Sequence, residues 1–128
     1  HIGMDNTMLY TADPAKRESD KLAYLQATTE FRRLLKAGGT LYLSVPFGKH
    51  RDHGWFQIFD AAMVDRLIEM FGPTHVTETH FRYSESGWGP SDRGASRDCT
   101  YFDIHKRKNY DADFAAAPPA VVCLELVK

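Results

Sequence analysis

Glu30-Phe31-Arg32-Arg33-Leu34-Leu35-Lys36-Ala37-Gly38-Gly39-Thr40-Leu41-Tyr42-Leu43-Ser44-Val45-Pro46 holds a helix end, a glycine stop and a strand in direct succession. Tyr24, Leu25, Thr28, Phe31, Leu34 and Leu35 recur at helical spacing, with Lys21, Glu30, Arg32 and Arg33 between them. That periodicity predicts a helix over residues 20–36. Gly38-Gly39 stops it, because glycine reaches the left-handed cap without a steric penalty. Residues 40–47 are short, rich in β formers and bounded by glycines, which predicts a strand. Pro46 must lie at its end, since proline has no amide to give a central ladder.

Working outward, Asp13-Pro14 is a helix-start signal, and residues 1–12 read as loop. On the other side Asp60 caps a second helix carrying Val64, Leu67, Ile68 and Phe71 on one stripe, and Gly72-Pro73 ends it. Residues 76–83 alternate and predict a strand. Residues 84–116 form a long connection, in which 101–105 alternate as a short extra strand. Residues 120–127 are a continuous apolar run broken only by Glu125, the pattern of a central strand buried on both faces.

The chain has 128 residues, enough for one domain with one core. A formal net charge of -1 argues against a nucleic-acid footprint, which needs a basic excess. No apolar run reaches the roughly 18 residues of a membrane span, and no signal peptide is visible. Cys99 and Cys123 are the only cysteines, which suits a reducing, cytoplasmic setting. Cys123, inside Val121-Val122-Cys123-Leu124, is expected to be a small buried hydrophobe.

Residues 30–46 resemble the helix, glycine turn and fifth strand of class I S-adenosylmethionine-dependent methyltransferases, written E-x-x-R-V-L-K-P-G-G before an apolar strand. Ala37 stands where the family usually has proline. Phe59-Asp60 with the following helix, and the closing strand over 121–127, are similar to later parts of the same fold. His1-Ile2-Gly3 resembles a segment that follows the family's fourth strand, so the chain is expected to start inside the parent fold. The resemblance implies an α/β, partial Rossmann-like methyltransferase fold, with the C-terminal strands ordered fifth, seventh, sixth and helices flanking them. Residues 1–128 would be the C-terminal part of that doubly wound domain, with a long insertion at about 84–116. The family's glycine-rich loop, its ribose carboxylate and its adenine-side acid have no counterpart in the sequence. Gly38-Gly39 precedes a strand and is a helix stop. S-adenosylmethionine is therefore the cofactor of the parent family, and tight binding to this chain alone is not expected. His1, Ile2 and Gly3 are its only cofactor-side candidates, by resemblance.

His50-Arg51-Asp52-His53 is the sharpest local cluster. Two ligands make no metal site, and Gly48 and Gly54 argue against a helix that would align them. The loop follows the carboxyl end of a strand, where open α/β sheets bind ligands. His50 and His53 are candidate general bases, and Trp55 and Phe56 candidate substrate walls. The plain alternative is that the aromatics pack and the histidines are solvated. By resemblance, Arg82, Tyr83 and Trp88 join the substrate set. The function so implied is the substrate-side half of a methyl-transfer enzyme acting on a small polar acceptor, not competent alone. A non-catalytic remnant or interaction module is the alternative, and a metal-dependent enzyme using His50 and His53 the third reading. Expected partners are a small-molecule substrate and either a second copy or a missing N-terminal half, through the open edge of residues 40–47. Neither nucleic acid nor a membrane is expected.

Overall fold

Asp60 and Gly72 fix the helix between them. The Asp60 carboxylate accepts from the Met63 amide at 2.9 Å, Gly72 adopts φ 59°, and Ala61–Phe71 is α2. In the computed structural model of the chain, residues 2–8, 10–101 and 118–128 are described. The first long helix, α1, spans Ala23–Leu34 and is shorter at both ends than its periodicity predicts. At the front, the Asp20 carboxylate accepts from the Leu22 amide at 3.0 Å, a local turn that competes with helix. At the back, Leu35 is already extended, and Gly38 turns the chain at φ 74°. The Asp13-Pro14 signal serves a separate 3-10 turn, Pro14–Lys16. A second 3-10 turn, Asn6–Met8, lies within the stretch expected to be loop.

β1 spans Thr40–Pro46, with Pro46 as its last residue. β2 (Arg51–Asp52) and β3 (Gln57–Ile58) form a small separate hairpin in the loop that follows. β4 (His75–Ser84) and β5 (Gly87–Ser91) make a second hairpin, α3 (Arg93–Ser96) is a single turn, and β6 (Ala120–Val127) closes the chain. The main sheet has the order β1-β6-β4-β5, and all its ladders are antiparallel. β6 runs from Thr40↔Val127 to Pro46↔Val121 against β1, and from His75↔Val127 to Arg82↔Ala120 against β4. The closing strand therefore lies between the other two and antiparallel to both, as expected, which leaves β1 and β4 parallel to each other.

Four expectations need correction. Both α1 and α2 pack on the sheet face that carries Val122, Leu124 and Leu126, so the helices lie on one face where a doubly wound domain has them on both. β6 is buried on that face only; Val121, Cys123, Glu125 and Val127 alternate as half-buried residues. Cys123 is thus half-buried, and the buried thiol is Cys99. The stretch from residue 84 opens with β5 and α3, because Gly87 reaches φ 95° and turns the chain back onto β4. The extra strand expected over 101–105 lies, apart from Tyr101, outside the described residues. No helix among the described residues is long and apolar enough to cross a membrane.

The core is concentrated under α2. Val64, Leu67 and Phe71 meet Val122, Leu124 and Leu126, with Phe47 and Phe59 at the end near the carboxyl terminus of β1. Arg32 ties the two helices together: Nη1 donates to the carbonyls of Phe71 (2.7 Å) and Gly72 (2.6 Å). A cation at those last carbonyls also suits the negative end of α2.

Candidate functional site

A cavity of about 370 Å³ opens beside the carboxyl end of β1. One wall is the face of α1 that carries Tyr24, Ala27, Thr28 and Phe31. The helical period puts Tyr24, Thr28 and Phe31 on one stripe, and the fold turns that stripe partly towards open space. The floor is Leu43 to Pro46, and the opposite wall is Trp55, Phe56 and Gln57, with Tyr101 beside them. Ile2 and Met4 close a third side. Among the described residues, no Asp, Glu, Lys, Arg or His lines the cavity.

The aromatic wall is one connected ring network. His53 stacks on Phe56 with centroids 4.7 Å apart, and Tyr101 packs on both rings at 4.6 and 4.8 Å. Trp55 tilts against Phe56 at 4.3 Å, and Tyr10 meets Trp55 edge-on at 6.1 Å. This loop is fastened to the start of α1. Lys21 Nζ lies 2.5 Å from Asp52 Oδ2, and Gln57 Nε2 donates to the Lys21 carbonyl at 3.0 Å. The Lys21 hydrogen bond, helped by the Gly54 amide, holds the Asp52 carboxyl below its usual range. On the third side, Gly3 sits so tightly on Asp20 that a Cβ there would fall 1.9 Å from the Asp20 carbonyl oxygen. That contact gives Gly3 a steric reason to be glycine, and Ile2 beside it lines the cavity.

The sequence-predicted residues separate. Trp55, Phe56 and Ile2 line the cavity; Gly3 supports it, and His1 lies outside the described residues. His53 stands one ring behind the wall, and His50 is exposed and off it. His50 Nδ1 donates to the Ile58 carbonyl at 3.0 Å; a carbonyl only accepts, so in the neutral ring Nε2 is the free acceptor. No three His, Cys, Asp or Glu side chains among the described residues gather to hold a metal ion. Arg82, Tyr83 and Trp88 sit on the β4–β5 hairpin: Tyr83 packs on Trp88 at 5.4 Å, Arg82 Nη1 donates to the Ala95 carbonyl at 3.1 Å, and none of them lines the cavity.

Two features escape the sequence reading. The α1 stripe reads as core by its spacing, and nothing in the spacing tells a cavity wall from a core contact. The second is a polar cluster at α3. Arg93 grips both Glu78 oxygens (2.6 and 2.8 Å) and Asp65 (2.6 Å), while buried His80 donates from Nε2 to Glu78 at 2.5 Å. Arg93 holds the Glu78 carboxyl below its ordinary range, against the opposing effect of burial. These residues come from α2, β4 and α3, so no local motif announces them. No family model, curated protein or solved structure matches the chain.

Proposed function

We propose that this chain is the acceptor-side half of a class I S-adenosylmethionine-dependent methyltransferase with a partial Rossmann-like sheet. The observation that carries the reading is the cavity at the carboxyl end of β1, in a sheet whose last strand lies antiparallel between β1 and β4. Open α/β sheets bind ligands outside the carboxyl ends of their strands. The succession of α1, β1, α2, β4 and β6 along the chain supports the same reading.

S-adenosylmethionine carries a charged amino-acid end, a sulfonium and a ribose diol. The cavity offers no carboxylate and no cation among the described residues, so the residues present do not fit it. The cofactor grip is assigned to a further segment or partner, and the share of this chain is to hold and desolvate the acceptor. Neither histidine lines the cavity: His50 is exposed and off it and His53 stands one ring behind its wall, so no general base is assigned to an acceptor held there. A cytoplasmic small-molecule enzyme is the corresponding cellular reading.

Calorimetric titration with S-adenosylmethionine tests the division of labour. The chain alone gives no micromolar one-to-one site. Produced together with a cofactor-binding segment or partner, it transfers a tritiated methyl group to a small acceptor. Micromolar binding by the chain alone, or no methyl transfer once that segment or partner is supplied, overturns the proposal. One observation favours a second reading, a non-catalytic interaction module: β1 ends the sheet, and among the described residues no strand ladders with its outer edge.

A further inference from the structure

We propose that the cavity beside β1 binds an uncharged, flat, ring-bearing small molecule, so that the acceptor is an aromatic compound and not a sugar. The word acceptor rests on the methyltransferase reading; the binding itself does not.

Chemistry of the lining decides the class. With no charged side chain on the described walls, a phosphate or carboxylate entering here would lose its water and gain no partner. A sugar fares little better, because two of the polar side chains on the walls are already engaged. The Thr28 hydroxyl donates to the Tyr24 carbonyl at 2.7 Å, and the Gln57 amide nitrogen donates to the Lys21 carbonyl at 3.0 Å. A polyhydroxylated ligand would leave several of its own donors unsatisfied, each a penalty of about 1–3 kcal/mol in proteins.

Rings, by contrast, find ring partners on two sides. Trp55, Phe56 and Tyr101 form one wall, and Tyr24, edge-on to Phe59 at 4.9 Å and 70°, stands on another with Phe31 near it. Aromatic pairs prefer such offset and edge-to-face arrangements, which a flat guest extends. At about 370 Å³ the cavity is near the small end of ligand sites, which suits two fused rings better than a nucleotide. The anchors from Lys21 to Asp52 and Gln57 fix the aromatic loop in advance, so little ordering is needed on binding.

The test uses Trp88→Phe protein, in which Trp55 is the sole tryptophan, titrated with 2-naphthol and separately with glucose. Calorimetry and Trp55 emission are followed together. Expected is saturable one-to-one binding of 2-naphthol that changes Trp55 emission, with no saturation by glucose. Ala27→Phe, which fills the cavity from α1, weakens 2-naphthol by about ten-fold or more. Phe56→Ala, which removes a wall ring, weakens it as well and serves if Ala27→Phe does not fold. No saturation by 2-naphthol up to about 1 mM, unchanged affinity in the folded variants, or saturable glucose binding would each overturn the inference. So would a dimer that occupies the cavity and excludes 2-naphthol at every concentration. Naphthol binding without methyl transfer in the completed enzyme sinks only the methyltransferase reading; methyl transfer to a sugar without naphthol binding sinks only this one.

Discussion

Phe71 and Phe31 sit on the two helices that share one sheet face, and they are treated very differently. Phe71 ends α2 with no exposure, whereas Phe31 is 36% exposed near the end of α1, and Leu34 beyond it is 69% exposed. The same contrast runs through the local chemistry. α2 has an Asp60 cap and a left-handed Gly72; α1 has no side-chain cap and faces a cavity. The lesson is that the body of the domain is β6, β4 and α2. The β1–α1 side keeps apolar surface uncovered, which marks ligand or partner sites.

The largest expected effect tests that contrast directly. Phe71→Ala should cost about 3–5 kcal/mol, the range for emptying a packed aromatic site. Phe31→Ala should cost under about 1 kcal/mol, since it deletes a partly exposed ring from a cavity wall. Urea denaturation of both variants measures this, and equal costs would break the comparison.

Gly48 joins the two regions and comes next. It has φ 154°, and a Cβ there would lie 2.2 Å from the Cys99 carbonyl oxygen, in backbone that cannot give way cheaply. Gly48→Ala should therefore cost about 2 kcal/mol or more, strain and clash together. Gly38→Ala, at φ 74° with open space around it, should cost only about 1 kcal/mol. A Gly48→Ala protein as stable as Gly38→Ala would mean that the two regions slide freely past each other.

The order of elements was legible in the sequence because its signals are local. Asp60 caps the amide three residues on with its carboxylate, Gly72, Gly38-Gly39 and Pro46 act through their own backbone, and each stands where it was expected. Placing the last strand between the others came from resemblance, since no local signal carries strand order. The cavity was legible only in part. Trp55 and Phe56 stood out as aromatics in a loop, but Tyr24, Thr28 and Phe31 have the spacing of ordinary core residues. His50, Arg82, Tyr83 and Trp88 stood out by residue type and lie elsewhere, because residue type says nothing about which way a loop or hairpin turns. Arg93 and Glu78 are invisible as a pair, being 15 positions apart on different elements.

That pair gives a smaller effect, on the well-packed side. Arg93 lowers the Glu78 carboxyl, so Glu78 binds its proton more readily in the unfolded chain than in the folded one. Its contribution is complete above the ordinary glutamate range, near 4.3, and is lost as pH falls through the lower folded value. With Arg93 about a third exposed, solvent screening holds the contribution to about 1 kcal/mol. Stability measured by urea at pH 7 and again near pH 3 should drop less in Glu78→Gln than in the parent. An identical drop would remove Glu78 from the list of acid-sensitive groups.

The smallest effect on stability carries the sharpest test of the uncovered side. Among the described residues β1 ladders only with β6, and at the carboxyl end of its other edge the Phe59 amide donates to the Pro46 carbonyl at 2.9 Å beside the bridge of Phe47 to Phe59. The N-terminal segment does not cover that edge: Asp5 donates its amide to Gly54 in the loop, and no described residue before α1 ladders with β1. An edge that reads Leu-Tyr-Leu-Ser-Val, with no charge, is a template for another strand. Tyr42 is 73% exposed on it, so Tyr42→Lys should change stability by no more than about 0.5 kcal/mol. The same lysine places a charge where a second copy would pair. Light scattering over a concentration series should find a dimer for the parent and for Trp88→Ala, whose side chain is on the far hairpin, and a monomer for Tyr42→Lys. A parent protein that stays monomeric at high concentration would refute edge pairing and leave the β1 side as a ligand surface alone.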